Sequence, residues 1–346
     1  MAHAAHAAHA VHGATPDNVP KASECVDPNG ILYVVVPVSN PMNYQSRYKL
    51  ARPTIEKLGR HARVQVLLVE LATQNQPFML TDPENEFHLQ LRGNDILWLK
   101  ENMINLGIEY LTRIRPSWAY VAWVDADVTF DNPNIGIETI QALNQFPIVQ
   151  MFQTVVNKGP VGEAIKQHNG FAFQWFLKKF RHPGTKEAYG DTWHPGFCWA
   201  FTRRTWGIMS RLIDRAICGA GDHHMALGLI NMAHLSYPKG VHPQYKAMVH
   251  DWQDRVYKEI RGRIGYVNGT IIHGWHGRFV DRRYGDRWQI IIETQFNPNT
   301  DIVLNDQGVY QWDTVDSRGR PDPRLPMLLI NYFRVRNEDT TENTAK

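Results

Sequence analysis

The chain has 346 residues, of which 43% are hydrophobic and 11% aromatic, so it is long enough to bury a large core. Its net charge of +3 is mildly basic, and the basic runs at 178 to 186 and 277 to 287 suit either a phosphate-bearing ligand or a solvated surface. No window approaches the ~20 consecutive apolar residues of a membrane span, and the N-terminus has no signal-peptide pattern. We therefore expect a cytoplasmic globular protein without integral membrane association.

Both ends of the chain are expected to be disordered. A His/Ala repeat of low complexity lies within residues 1 to 22, and the polar residues 336 to 346 are typical of a frayed tail. A single domain is predicted between them, over 23 to 335. The cysteines are too few and too scattered for a disulfide framework or a four-ligand zinc site. They are Cys25, Cys198 and Cys218.

The predicted elements begin with an apolar, β-branched strand at 31 to 39 and a helix at 44 to 59. A second strand at 63 to 72 completes a β-α-β pattern, which is typical of a parallel sheet covered by helices. An amphipathic helix at 94 to 111 and a third strand at 120 to 127 follow. The order of elements predicts an α/β fold with a mostly parallel sheet.

Two aspartates, Asp125 and Asp127, end the third strand. Ligands of open α/β sheets bind outside the carboxyl ends of the strands, and residues two apart on a strand point to the same side. Both carboxylates can therefore reach one divalent cation, and carboxylate oxygens suit Mg²⁺ or Mn²⁺. The alternative is that the aspartates only form the turn that "DNPN" continues.

Two histidines follow a later apolar strand in "YVNGTIIHGWHGRF". His273 ends the strand, and His276 stands among glycines. An imidazole beside two carboxylates favours Mn²⁺ over Mg²⁺, which rarely takes nitrogen ligands. The alternative is a buried histidine with no ligand role. Three arginines that could reach phosphate oxygens come next, and they are Arg278, Arg282 and Arg283.

A third cluster surrounds Asp222, which follows a Gly-Ala-Gly turn at the start of an apolar helix. Aspartate is a good N-cap residue there. It is also a candidate general base that takes a proton from an attacking hydroxyl. His223 and His224 are alternative bases.

In their order, "WVDAD", "HPGFCWAFTRRTW", "GAGDHHMA" and "IIHGWHG" resemble motifs of the GT-A glycosyltransferases, which transfer a sugar from a nucleotide-diphosphate donor. The likeness spans about residues 30 to 292. It implies the metal-binding Asp-x-Asp, an acceptor-side segment with its acid, and the late histidine that completes the metal site. The chain has neither a "WGGED" or "EDD" acid pair nor the "KPW" that follows the late histidine in glycogenin-like retaining enzymes, so an inverting reaction is favoured.

The resemblance implies a GT-A-like, mostly parallel central sheet flanked by helices. A nucleotide-sugar half at about 30 to 135 would precede an acceptor half at 136 to 292, with a C-terminal extension at 293 to 335. It also implies Mn²⁺ or Mg²⁺ as the cofactor and a donor that is most simply UDP-linked.

The resemblance also assigns site residues. The expected metal ligands are Asp125, Asp127, His273 and His276. The catalytic residues would be Asp222 and His223. Donor contacts are expected from the loop after the first strand, the helix that contains "WLKENMIN" and the late arginines, namely Pro37, Ser39, Asn40, Arg47, Lys100, Asn102, Asn105, Asp125, Arg278 and Arg283. Acceptor contacts are expected from Trp193, Gly196, Trp199 and Gly221, although such tryptophans are also typical of a core.

Other functions remain open from the sequence. A nucleotidyltransferase shares the carboxylates and the metal, but it normally has an early Gly-rich basic loop, and "VVVPVSNPMNYQSR" has no glycine. A metal-dependent hydrolase that uses the two histidines is less favoured, because it would have no donor pocket to explain the carboxylates. A non-catalytic sugar- or nucleic-acid-binding module would use the basic runs and aromatic residues. The acceptor could be a glycan, a protein or a modified nucleic acid.

Overall fold

A computed structural model describes residues 30 to 180, 193 to 314, 316 and 318 to 342. The strands, numbered along the chain, are β1 Leu32–Ser39, β2 Val64–Thr73, β3 His88–Gly93, β4 Tyr120–Val124, β5 Val128–Phe130, β6 Ile148–Gln150, β7 Thr154–Lys158, β8 Ala164–Gly170, β9 Trp193–His194, β10 Cys198–Thr202, β11 Ile264–Tyr266, β12 Thr270–His273, β13 Ile302–Leu304 and β14 Tyr310–Trp312. The helices are α1 Gln45–Gly59, α2 Lys100–Ile114, α3 Ile135–Leu143, α4 Phe171–Phe176, α5 Arg203–Met209, α6 Gly221–Gly228, α7 Pro243–Ile260, α8 Asp286–Glu293 and α9 Leu325–Arg334. The predicted tail at 1 to 22 and residues 343 to 346 lie outside the described residues.

The central sheet has seven strands in the order β11-β6-β10-β4-β1-β2-β3. Strand β1 pairs in parallel with β2 and β4, β2 with β3, and β6 with β11, whereas β10 is antiparallel to both of its neighbours. The prediction of an α/β fold with a mostly parallel central sheet flanked by helices is confirmed. Among the helices of the described residues, none combines the length and apolar character that a membrane crossing requires.

The sheet is buried on both faces, which explains the continuous apolar sequence of β1. Val35 belongs to the core beneath α2, while Val34 and Val36 belong to the core on the α1 side. Helix α2 approaches the sheet closely at Gly107, where a Cβ would come within 2.9 Å of both Val35 and Val69. This packing fixes the position of Lys100 at the N-terminus of α2, next to the carboxyl ends of β1 and β4.

A second sheet, in the order β5-β12-β7-β8-β9, brings the late histidines to the aspartates. Strand β12 is antiparallel to β5, with His273 opposite Val128, and parallel to β7, with His273 opposite Asn157. Asp127 immediately precedes Val128, so the pairing places its carboxylate beside His273.

Two expectations about boundaries need correction. Strand β4 ends at Val124, so Asp125 and Asp127 lie in the turn that follows instead of on the strand. Residues 336 to 342 are not a frayed tail. They fold back onto the domain, where the side chain of Glu338 is 1% exposed and forms ion pairs with Arg47 and Arg336. Helix α9, just before them, packs on the core through Leu325 and Leu329.

Candidate active site

An open cleft lies at the carboxyl ends of β1 and β4, between α1, α2 and the C-terminal residues. This is the position at which ligands bind to open α/β sheets. Five of the predicted donor contacts line it, and they are Pro37, Ser39, Arg47, Lys100 and Asp125. Besides Asp125, the predicted metal ligands Asp127 and His276 also line it, together with residues that the sequence did not indicate, such as Arg336 and Glu338.

Three of the four predicted metal ligands meet at one point. One ligand atom from each of Asp127, His273 and His276 lies within 4.8 Å of the others. The Oδ2 of Asp127 is 3.2 Å from Nε2 of His276 and 3.7 Å from Nε2 of His273. The two Nε2 atoms are themselves 3.1 Å apart. Both imidazoles are buried.

The hydrogen bonds around these imidazoles assign their protons. His273 Nδ1 lies 2.8 Å from Asn157 Oδ1, and the amide nitrogen of Asn157 donates to Lys166 O, so His273 carries its proton on Nδ1. His276 Nε2 lies 3.2 Å from an Arg282 Nη2 atom, which can only donate. With both rings neutral, neither Nε2 atom carries a proton, and their lone pairs face each other.

This arrangement fits a divalent cation. Two bare imidazole nitrogens and a carboxylate are a nitrogen and oxygen ligand set that Mn²⁺ accepts. The Oδ1 of Asp127 is buried and has no hydrogen-bond partner among the described residues. Burial and the Arg282 charge lower the pKa of His276, so its ring is neutral, as a metal ligand must be.

Asp125 is not part of this group. Its carboxylate forms an ion pair with Lys100, with Nζ at 3.1 Å from Oδ1 and 3.2 Å from Oδ2. Burial raises the pKa of Asp125 to about 6, against the opposing charge of Lys100. Although burial lowers the pKa of Lys100, the carboxylates of Asp125 and Asp222 outweigh it and raise the pKa, so the ammonium stays charged.

The carboxylate of Asp222 lies on the other side of Lys100, with Oδ2 at 3.9 Å from Nζ. Asp222 is not the N-cap of α6. Ala220 takes that position at a φ of +84°, and Asp222 is the second helical residue, where its Oδ1 accepts the N–H of His223. Burial would raise the pKa of Asp222, but Lys100 lowers it, so the carboxylate is ionised. A Cβ at Gly196 would clash with Asp222 Oδ2.

The histidines next to Asp222 have different surroundings. His224 is buried and bonded to Ser236 Oγ at 2.7 Å and to Tyr245 Oη at 2.9 Å, so it is a core residue and not an alternative base. His223 is 7% exposed and packs against Trp193. His194, which the sequence did not single out, accepts the N–H of Gly196 through Nδ1 and stacks on Phe197.

The predicted arginine contacts divide into two sets. Arg47 lies in the cleft, where its Nη1 donates to Ser39 O and its other nitrogens bind Glu338. Arg278 and Arg283 are not among the described lining residues of the cleft. Arg278 forms an ion pair with Asp281, and Arg283 forms one with Asp286 on the surface. Arg282, between them in the sequence, donates to Nε2 of His276.

The predicted asparagine contacts are structural. Asn40 bonds the backbone of Tyr44 through both side-chain atoms and so holds the loop after β1. Asn102 is fully buried and donates to Gly308 O. Asn105 is also fully buried and bonds Leu212 and Asp214. Both residues of α2 point away from the cleft, because at about 3.6 residues per turn the second and fifth positions after Lys100 lie on another face of the helix.

The predicted acceptor tryptophans belong to the core. Trp193 is 1% exposed and packs against Phe171 and Phe180. Trp199 is fully buried, and its Nε1 donates to Pro195 O. Neither can stack on an acceptor. The predicted glycines lie beside acids, because a Cβ at Gly196 would clash with Asp222 and a Cβ at Gly221 would meet the carboxyl group of Glu101.

No protein-family model and no curated protein matches the sequence. Similar solved structures include the catalytic domain of Drosophila β1,4-galactosyltransferase 7 with xylobiose, at 11% identity, covering 84% of this chain and 98% of that chain, with a TM-score of 0.34. A mutant of the same enzyme with manganese, UDP-Gal and xylobiose has the same identity and coverage and a TM-score of 0.37. The 4-diphosphocytidyl-2C-methyl-D-erythritol synthase of Anaerococcus prevotii is 11% identical, with 71% of this chain and 89% of that chain covered and a TM-score of 0.31. These TM-scores are low, and the likenesses carry no argument about function.

Proposed function

We propose that the protein is a metal-dependent glycosyltransferase that transfers a sugar from a nucleotide-diphosphate donor, most simply a UDP-sugar, to an acceptor hydroxyl. One observation carries the proposal. Lys100 stands at a cleft between the carboxylate of Asp222 and that of Asp125, with the Asp127 and histidine group in the same cleft. In this proposal, the diphosphate site and the base for the attacking hydroxyl lie next to each other.

The charges of the cleft support a donor that binds together with a cation. Among the described lining residues, the cationic groups are Arg47, Lys100 and Arg336, and the carboxylates are Asp125, Asp127 and Glu338. The two sets balance, so the net charge of these side chains alone gives a diphosphate little attraction. A divalent cation would add the missing positive charge next to Lys100, where a diphosphate would bind.

The residues that would hold this cation are Asp127, His273 and His276. Two neutral imidazoles favour Mn²⁺ over Mg²⁺. When bound, the ion supplies Lewis-acid stabilisation of the negative charge that grows on the departing nucleoside diphosphate. Lys100 adds fixed positive charge on the same side, and its strong preference for the ammonium form means that it binds phosphate without donating its proton.

Asp222 is the proposed base. Its carboxylate is ionised, held by the His223 N–H, and 23% exposed, so it can meet an acceptor from the solvent side. The acceptor oxygen forms a bond to the anomeric carbon while the bond from that carbon to the diphosphate oxygen breaks. The hydroxyl proton passes to Asp222. Attack from the side opposite the leaving group inverts the anomeric centre.

The donor half is tested by calorimetric titration with UDP, GDP and CDP, each with Mn²⁺ and with EDTA. We expect one nucleotide to bind, and only with Mn²⁺. Asp127→Asn should abolish this binding while the fold is kept, whereas the exposed Asp306→Asn should not change it. Absence of binding under every condition would reject the donor site and favour a non-catalytic module.

The catalytic half is tested by the release of nucleoside diphosphate from a panel of nucleotide sugars, with and without candidate glycan, protein and nucleic-acid acceptors. Asp222→Asn should retain donor affinity and lose roughly 10² to 10⁴ in transfer rate. Full transfer by Asp222→Asn would show that Asp222 is not the base and would favour His223 as the base or a retaining reaction. Release of pyrophosphate from a nucleoside triphosphate would instead indicate a nucleotidyltransferase.

A further inference from the structure

The C-terminal segment, residues 336 to 342, is bonded to helix α1 and to the loop of His276, both of which contribute residues to the cleft. On one side, the carboxylate of Asp339 accepts the backbone N–H groups of Gln45 and Ser46 at 3.0 and 2.7 Å, at the N-terminus of α1. On the other side, Thr340 O accepts the indole N–H of Trp275 at 2.6 Å. Trp275 directly precedes the candidate metal ligand His276, so the segment is fastened to the loop that carries the ligand.

Within this segment, Glu338 is the most tightly held side chain. Its Oε2 accepts from Arg47 Nε at 2.6 Å, and its Oε1 accepts from Arg47 Nη2 at 2.8 Å, which is a two-point carboxylate and guanidinium pair. Arg336 Nε lies 2.8 Å from Oε1. Burial would raise the pKa of Glu338, but these two guanidinium groups hold the pKa well below its ordinary value. Glu338 is therefore a fixed negative charge.

This charge faces the protonated edge of His276. The Nε2 of His276 accepts from Arg282 and faces Asp127, so the proton of the neutral ring is on Nδ1. Nδ1 lies 3.8 Å from Glu338 Oε2. The distance is too long for a hydrogen bond, so the interaction is electrostatic. In a buried site, it favours the tautomer with the proton on Nδ1 and a bare Nε2 directed at Asp127 and His273.

We propose that Glu338 is a positioning residue for the metal site, which it serves by fixing the tautomer and the orientation of His276 from outside the ligand group. This inference rests on the proposed function, because it requires that Asp127, His273 and His276 bind a metal. Carboxylates behind metal-bound histidines act in this way, and their loss typically weakens metal binding by about 10 to 100-fold.

The test compares Glu338→Gln with Asp339→Asn, which removes the neighbouring carboxylate of the same segment but none of the contacts with His276. Each protein is titrated with Mn²⁺ by calorimetry and with Co²⁺ by visible absorption, which reports the ligand geometry directly. We expect Glu338→Gln to bind both ions about 10 to 100-fold more weakly, with an altered Co²⁺ spectrum. Asp339→Asn should stay within about threefold of the wild type, and Glu338→Asp should fall between the two.

Three results would overturn the inference. Equal affinity and an unchanged Co²⁺ spectrum in Glu338→Gln would show that His276 needs no support. Equal weakening in Asp339→Asn would show that docking of the segment matters and not the Glu338 charge. Failure of the wild type to bind either ion would overturn the metal site and with it the proposed function. Melting temperatures of all variants separate loss of metal from loss of fold, and Glu338→Asp supplies a folded comparison if Glu338→Gln unfolds.

Discussion

The Nε2 atoms of His273 and His276 lie 3.1 Å apart, and both face the carboxylate of Asp127. With both rings neutral, neither nitrogen carries a proton, so two lone pairs lie close together in a buried site. Such a contact costs free energy, which the Arg282 guanidinium offsets in part by donating to Nε2 of His276, while Oδ1 of Asp127 has no partner among the described residues. A bound cation would relieve this repulsion and satisfy the buried Oδ1 of Asp127.

The first prediction follows from that relief. Because a ligand that binds only the folded state stabilises it by RT ln(1 + [L]/Kd), Mn²⁺ at a hundredfold excess over Kd should add about 2.7 kcal/mol. We expect the melting temperature to rise by several °C with Mn²⁺ and to fall back with EDTA. His273→Gln should lose the shift, whereas the exposed His234→Gln should keep it. An identical shift in both variants would mean that the ion binds elsewhere.

The second prediction concerns the close approach of Gly196 to Asp222. A Cβ at position 196 would occupy the place of Asp222 Oδ2, so Gly196→Ala should push the proposed base out of position. We expect a fall in sugar transfer of about 10 to 10³-fold, with Mn²⁺ and nucleotide binding unchanged. Gly285→Ala is the control, because a Cβ there meets no described atom within 4 Å. Wild-type transfer rates in Gly196→Ala would argue against Asp222 as the base.

The meeting of Asp127 with His273 and His276 was predictable from the sequence because the sheet topology brings them together. The carboxyl end of a central parallel strand and a later apolar strand that ends in histidine are local patterns, and the pairing of β5 with β12 joins them. The opening β-α-β pattern was predictable for the same reason, since its apolar runs match the periods of strands and helices.

Contacts that depend on side-chain direction or on distant chain segments were not predictable. Asn102 and Asn105 share α2 with Lys100, but they lie on another face of the helix. They point toward the turn between β13 and β14 and toward the loop at 212 to 214. Glu338 stands in a polar sequence without periodicity, so no local pattern separates it from a disordered tail. Its role comes from a contact with Arg47 across 291 positions of the chain.

The third prediction tests whether Asn105 has a structural role while Lys100, on the other face of α2, serves the cleft. Asn105 bonds the backbone N–H and C=O of Leu212 and the carboxylate of Asp214, so Asn105→Ala leaves buried polar groups unpaired. We expect a loss of about 2 to 4 kcal/mol in the free energy of unfolding, measured with urea, and unchanged nucleotide affinity. Lys100→Met, on the cleft side of the same helix, should instead weaken nucleotide binding by about tenfold or more. If Asn105→Ala instead weakened nucleotide binding and left the stability unchanged, Asn105 would be a donor contact after all.

The last prediction concerns Glu101, which follows Lys100 in α2 and has a buried carboxyl group. It is 4% exposed and accepts the indole N–H of Trp98 at 3.2 Å. Burial raises the pKa of Glu101 from 4.5 to about 7, because Asp222 and Asp125 add to the effect and Lys100 only partly opposes it. The folded state therefore binds this proton more tightly than the unfolded state does, and the stability that Glu101 contributes is lost as pH rises from about 4.5 through 7.

Glu101→Gln keeps the shape of the protonated acid and has no charge to lose. We expect it to be more stable than the wild type at pH 8, by on the order of 1 to 3 kcal/mol, and nearly equal to it at pH 4.5. Urea unfolding at several pH values gives the two curves, which should diverge as pH rises. The exposed Glu56→Gln should follow the wild-type curve throughout. Parallel curves for Glu101→Gln and the wild type would show that folding does not raise the pKa of Glu101.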